Sequence, residues 1–167
     1  FPYENIFNGV AVKPYIFDID GDGLNDLITG EQNNGLNYYR NVGTIGNAVF
    51  NSKPVSENYG GIFAFGANAF RFFNSPTFFE IQGGKIMSLV GFNDGTLALY
   101  ERIRENGVDK MIQIDSMYQD RFFGLKVTNE VVDIDGDGWY DLVIGSQGGG
   151  LNFFFIEFKV TTTLIVD

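Results

Sequence analysis

Short apolar stretches alternate along this chain with clusters of Gly, Asn and Asp. Leu27-Ile28 and Leu142-Val143-Ile144 are continuously apolar, the pattern of strands covered on both faces, as in stacked sheets. Around the first of these the pattern predicts four short strands, at about Lys13–Phe17, Asp26–Thr29, Leu36–Arg40 and Ala48–Asn51. The intervening segments Asp20–Gly23, Gln32–Gly35 and Val42–Gly46 carry the residues that tight turns need. Tyr38, Tyr39, Phe153, Phe154 and Phe155 fall on predicted strands and read as core between sheets. Only Tyr100–Asn106 and Asn129–Ile134 offer a helical alternative, and neither is long or periodic enough.

The pattern repeats. Residues 17–30 read FDIDGDGLNDLITG and residues 132–145 read VDIDGDGWYDLVIG. Each continues alike, through Gly35-Leu36-Asn37-Tyr38-Tyr39 and Gly150-Leu151-Asn152-Phe153-Phe154. A weaker copy lies between them: FEIQGGKIMSLVG at 79–91, then Gly95-Thr96-Leu97-Ala98-Leu99-Tyr100. Gly30, Gly91 and Gly145 anchor the copies, and Leu36, Leu97 and Leu151 each follow the anchor by six residues. Spacings of 61 and 54 residues between anchors suit a multi-stranded unit rather than an ankyrin or leucine-rich repeat. The repeats span about 10–60, 61–118 and 119–160, with 161–167 as a tail or a lead into a further domain.

Composition narrows the chemistry. The 167 residues hold no Cys and no His, so disulfides, thiolate nucleophiles, imidazole bases and Cys/His zinc sites are excluded within them. A net charge of −10 argues against a nucleic-acid or anionic-membrane surface. No apolar run is long enough to span a membrane as a helix. Hydrophobic residues at 44% with 18 Phe supply a real core, and 22 Gly fit many tight turns. The chain begins at Phe1 with no initiator Met, which reads as a removed leader or an excised piece.

The chemistry lies in the carboxylate loops. Asp18, Asp20, Asp22 and Asp26 form D-x-D-x-D-G-x-x-D, and Asp133, Asp135, Asp137 and Asp141 repeat it. Four carboxylates in nine residues repel one another unless a cation neutralises them. Oxygen ligands at alternate positions, with Gly23 or Gly138 permitting the turn, suit Ca²⁺ before Mg²⁺. The expected ligands are those eight carboxylates plus the carbonyls of Leu24 and Trp139, two Ca²⁺ sites in all. An EF-hand is excluded, because loop position 12 is Thr29 or Ile144 rather than Glu, and no helix follows. The middle copy has Glu80, Gln82, Gly83 and Gly84 in the corresponding stretch and reads as a loop without its metal. The competing reading of each acidic loop is a solvated turn with no ion.

These segments resemble the FG-GAP/VCBS repeat family, which also builds the integrin α-subunit propeller. The resemblance rests on the two D-x-D-x-D-G-x-x-D-L-[IV]-x-G segments and the Gly-Leu-Asn-aromatic-aromatic strands after them. Phe65-Gly66-Ala67, Phe123-Gly124-Leu125 and Asn41-Val42-Gly43-Thr44 add to it. It covers about residues 10–157 and implies all-β blades of four antiparallel strands in a β-propeller, with Ca²⁺ in the loop between a blade's first two strands. Three blades do not close a ring, so further blades or domains of the same polypeptide are expected. The resemblance also implies a secreted or cell-surface bacterial protein, sometimes exported by a type IX route.

Other features carry less. Trp139 and Tyr140 read as packing against a neighbouring sheet, or alternatively as an aromatic platform near the ion. Phe63, Phe65, Phe70, Phe72, Phe73, Phe78 and Phe79 read as core and blade junction. Arg102, Arg104 and Lys110 read as a solvated hairpin face. Gly148-Gly149-Gly150 has no following Lys or helix and is no phosphate loop. The functional expectation is a non-catalytic, calcium-stabilised module for adhesion or for recognition of a protein or carbohydrate surface ligand. The alternative is a segment of a propeller-type polysaccharide lyase or glycosidase. For that, Glu31, Glu57, Glu80, Glu101 and Glu130 show no pairing in sequence.

Overall fold

The computed structural model of the chain describes residues 6, 9–32, 35–62 and 71–160. Within them the protein is all-β, with three antiparallel sheets and one 3-10 turn at Tyr118–Asp120. The first sheet orders β1 (Lys13–Phe17), β2 (Asp26–Gly30) and β3 (Leu36–Tyr39) as a meander. The second orders β4 (Ser75–Ile81), β5 (Lys85–Gly91), β6 (Leu97–Glu105) and β7 (Val108–Asp115). The third orders β8 (Thr128–Val132), β9 (Trp139–Gly145) and β10 (Leu151–Lys159). Turn chemistry sets these hairpins. Asn106 and Gly107 both take positive φ, 52° and 79°, the backbone that a two-residue hairpin turn favours.

Strand alternation explains the stacking. On β5, Ile86 and Val90 enter one core cluster while Met87 and Leu89 enter another. On β6, Ala98 and Tyr100 join the first cluster, and Leu97 and Leu99 the second. The middle sheet is therefore apolar on both faces and lies between the other two. Ile28, Leu36 and Tyr38 cover one face, and Val131, Leu142 and Ile144 the other. Each fully buried aliphatic or aromatic side chain contributes about 1.5–3 kcal/mol, so this double-faced sheet holds the stack together. Polar ties run beside it. Tyr15 Oη donates to the Phe78 carbonyl at 2.8 Å. Thr77 Oγ1 donates to the Asn129 carbonyl at 2.8 Å, and Asn129 Nδ2 donates to the Leu89 carbonyl at 3.0 Å.

The anchor glycines now have a physical reason. A Cβ on Gly30 would stand 2.1 Å from the carbonyl oxygen of Asn74, and one on Gly91 would stand 2.7 Å from that of Val127. Asn74 and Val127 each immediately precede the first strand of the next sheet. Only hydrogen at the anchor lets that strand come so close.

Several expectations need correction. The fourth strand expected at Ala48–Asn51 does not form. In its place are isolated bridges, Asn41 with Phe50, Thr44 with Asn47 and Tyr38 with Ser56. Residues 41–61 are rich in Gly, Asn, Ser and Pro54, which cannot sustain a ladder. Four strands per unit hold for the middle sheet alone; the other two have three. Phe153 and Phe155, expected in the core, are exposed, because no sheet in the described residues covers that side of β10. Arg102, expected on a solvated face, is largely buried and donates to the Ile19 carbonyl. Phe63, Phe65, Phe70 and the Phe65-Gly66 pair lie outside the described residues, as does 161–167.

Candidate metal centres

Each acidic loop joins the first two strands of a three-stranded sheet, β1 to β2 and β8 to β9. Both wrap around their first carboxylate in the same way. Asp18 Oδ1 accepts from the amides of Gly21 (2.8 Å) and Asp22 (3.2 Å), while Oδ2 accepts from Gly23 (2.8 Å). Asp133 Oδ1 accepts from Gly136 (2.7 Å) and Asp137 (3.2 Å), while Oδ2 accepts from Gly138 (3.0 Å). Asp20 and Asp135 each accept from the amide two residues on, both at 3.2 Å. Asp22 and Asp137 do the same toward Leu24 and Trp139, at 2.9 and 2.8 Å. The coil needs left-handed backbone at two places per loop, and Gly stands at each: Gly21 and Gly23 at φ 78° and 86°, Gly136 and Gly138 at 76° and 87°.

This winding brings Asp18, Asp20 and Asp26 together in one loop and Asp133, Asp135 and Asp141 in the other. In each triad one carboxylate oxygen per residue lies within 4.8 Å of the others. Asp22 and Asp137, also expected as ligands, stand outside these triads; like the triad members Asp20 and Asp135, each accepts from the amide two residues on. A hard divalent cation fits a set of three converging carboxylates, and oxygen is the only donor type they offer.

The two triads differ in surroundings. Asp26 is fully buried; its Oδ1 accepts from the Asn41 amide at 2.8 Å, and its Oδ2 from Tyr38 Oη (3.1 Å) and the Ile19 amide (3.3 Å). Burial, with the nearby Asp20 charge, pushes its carboxyl above the usual range despite those donors. Asp141 is half-buried and its Oδ2 accepts from Ile134 at 3.1 Å. Arg40 spans the mouth of the first loop, 2.7 Å from Asp20 and 2.9 Å from Asp22. Its hydrogen bond holds the Asp22 carboxyl below the usual range. Phe155 occupies the repeat position of Arg40, so the third loop lacks this compensation. Sequence reasoning missed Arg40 and Asn41. The N-x-G signal at Asn41 was visible, but its role as a clamp is not: Asn41 Nδ2 donates to the Asn25 carbonyl at 3.1 Å.

The middle copy replaces the loop with a tight turn at Gln82-Gly83-Gly84, closed by the Gly84 amide on the Ile81 carbonyl at 3.1 Å. Glu80 is half-buried on β4 opposite Ile86. The aromatic residues of the third loop pack. Tyr140 meets Phe79 edge-on at 5.3 Å and donates to the Glu80 carbonyl at 3.0 Å, and Trp139 lies 5.8 Å from Phe155 and under Lys159.

Compared with known proteins, the chain matches no family model, no curated protein and no solved structure. Among the described residues no helix is long and apolar enough to cross a membrane.

Proposed function

We propose that this chain is a calcium-stabilised, non-catalytic recognition module of the FG-GAP/VCBS type, from a secreted or cell-surface protein. In this reading its three sheets are consecutive propeller blades. The observation that carries it is the duplicated coil: two loops 115 residues apart repeat the same carboxylate-to-amide bonds around the same converging triad. Calcium titration into metal-free protein, followed by calorimetry, is expected to give two sites; zero sites overturns the reading. Kd values of about 10⁻⁴–10⁻³ M are common for extracellular calcium modules. Gln82→Ala, in the turn of the middle copy, is expected to leave that stoichiometry at two. It should also move stability by no more than about 0.5 kcal/mol, since only an exposed side chain is lost. Loss of an ion there would break the repeat alignment. Turnover of a polyuronide in the same preparations, lost with Asp20→Ala, would instead support the lyase alternative.

The blade reading draws on the third sheet. Leu36 and Leu97 are each 0% exposed, whereas their counterpart Leu151 is 65% exposed. Tyr38 and Leu99 are 7% and 5% exposed, and their counterpart Phe153 is 63%. In the first two copies these positions press on the following sheet. At Gly145 a Cβ would meet no neighbouring backbone, unlike at Gly30 and Gly91. In the blade reading this exposed side of the third sheet is a blade's contact face, and a further blade would cover it. Replacing Leu151 and Phe153 together by Ser is expected to shift the stability of this chain by less than about 1 kcal/mol, near the surface range for two sites. It should also reduce concentration-dependent self-association in light scattering. A loss of several kcal/mol would show that the face is already covered within the chain.

A further inference from the structure

The two acidic loops share one winding but differ in how far the protein itself satisfies their carboxylates. In the first loop every carboxylate oxygen of the four aspartates has a donor. Asp18 takes the amides of Gly21, Asp22 and Gly23 on its two oxygens. Asp20 Oδ1 accepts from the Asp22 amide, and Asp22 Oδ1 from the Leu24 amide. The Oδ2 of each is held by Arg40, at 2.7 Å for Asp20 and 2.9 Å for Asp22. Asp26 Oδ1 accepts from Asn41, and its Oδ2 from Tyr38 and Ile19. In the third loop the amide bonds recur at Asp133, Asp135 and Asp137. There, Asp135 Oδ2, Asp137 Oδ2 and Asp141 Oδ1 receive no donor among the described residues. Lys159, a cation beside this loop, lies over the Trp139 ring at 4.7 Å rather than on a carboxylate.

Arg40 makes much of this difference. It directly follows β3, and the repeat puts Phe155 in its place, paired with Asp141 across β9 and β10. A guanidinium is a permanent positive charge with several donors in a fixed fork. Seated on Asp20 and Asp22, it supplies in the first loop part of what a hard cation supplies, charge that offsets crowded carboxylates. Asp20 also belongs to the converging triad. A divalent ion drawn to that triad therefore meets a like charge, and an Asp20 whose two oxygens are already engaged. An ion drawn to the third triad meets neither obstacle, for Asp135 keeps one oxygen without a protein donor. The Arg40 side chain is half-exposed, so its release into water is open to it.

We propose that Arg40 is a built-in competitor of calcium: the third loop fills first, and the first loop fills only as the ion displaces the guanidinium from Asp20. The inference rests on the calcium reading above and adds its regulation. The test titrates the isotope-labelled, metal-free chain with calcium chloride at fixed ionic strength, because salt screens such pairs. Amide signals of Gly136 and Gly138 report the third loop, those of Gly21 and Gly23 the first, and the Arg40 Nε–H signal the guanidinium. The third loop is expected to saturate at lower calcium, and the Arg40 signal to move only together with Gly21 and Gly23. Arg40→Gln removes the charge at an exposed position. It is expected to tighten the first loop about fivefold, the ratio one exposed ion pair supports, and to leave the third unchanged. A mere tether for the loop would give the opposite sign, since its loss would loosen the first site. Phe155→Arg, also at an exposed position, is the reciprocal change and should weaken the third loop about fivefold. Equal midpoints in the wild-type chain, or a first loop no tighter in Arg40→Gln, overturn the competitor role. A third loop unmoved by the added guanidinium of Phe155→Arg does so too. Calcium-induced shifts at neither loop, in any of the three chains, remove the calcium reading itself.

Discussion

Chelating calcium is expected to be the most damaging treatment of this protein. At free calcium about 100-fold above Kd, a site that binds only the folded state adds roughly 2.7 kcal/mol, so two independent sites add roughly 5 kcal/mol. That is comparable to the whole stability of a marginal domain. The origin is electrostatic. Each loop holds its carboxylates together chiefly by backbone donors, with the Tyr38 hydroxyl and Arg40 adding compensation in the first loop. Thermal melts with and without chelator, at fixed ionic strength, check this, and the fall should be accompanied by faster proteolysis at 18–26 and 133–141. The third loop, where Phe155 replaces Arg40, should open to protease first. Superimposable melts would count against structural ions.

The second large effect separates two aspartates that the repeat makes equivalent. Asp26→Ala is expected to destabilise by about 3 kcal/mol or more even without calcium. Asp141→Ala should cost little until calcium is added. Asp26 is fully buried and receives hydrogen from Ile19, Tyr38 and Asn41, and each buried donor left unmet costs about 1–3 kcal/mol. Asp141 is half-buried and receives one. Denaturant unfolding of both variants in chelator reads the difference directly, and equal losses would refute it. The pH dependence has a definite sign. Burial raises the Asp26 carboxyl above its unfolded value of about 3.9, so its titration favours the folded state at acid pH, and that contribution is lost as pH rises through the raised value. In chelator, wild-type protein should therefore gain from this group on mild acidification, and Asp26→Ala should lose that gain. Asp22, held low by Arg40, has the opposite sign: its contribution is present above the unfolded value and is lost as pH falls through the lowered one.

Much of the framework is legible in one dimension because it depends on local rules. Turn residues and apolar doublets place β1, β2 and β3 within a residue of their expected ends. Left-handed backbone at Gly21, Gly23, Gly136 and Gly138 follows from a coil that only Gly enters without strain. The converging triads follow from carboxylate spacing, since loop geometry is set by neighbours a few residues away.

What the sequence by itself determined, then, is an all-β chain in which two closely matching segments carry acidic loops able to gather carboxylates. The tertiary structure alone decided which equivalent residues are buried. Leu97 and Leu151 share a register position, but one lies under a neighbouring sheet and the other faces solvent. Asp26 and Asp141 share a motif, but only Asp26 lies sealed beneath Tyr38 and Asn41. The hydrogen bond from Tyr59 to Asp109 is of the same kind, for it joins residues 50 positions apart that no local pattern connects. Local backbone preference is written in neighbouring residues, whereas burial, desolvation and unmet hydrogen bonds depend on which distant surface arrives on top.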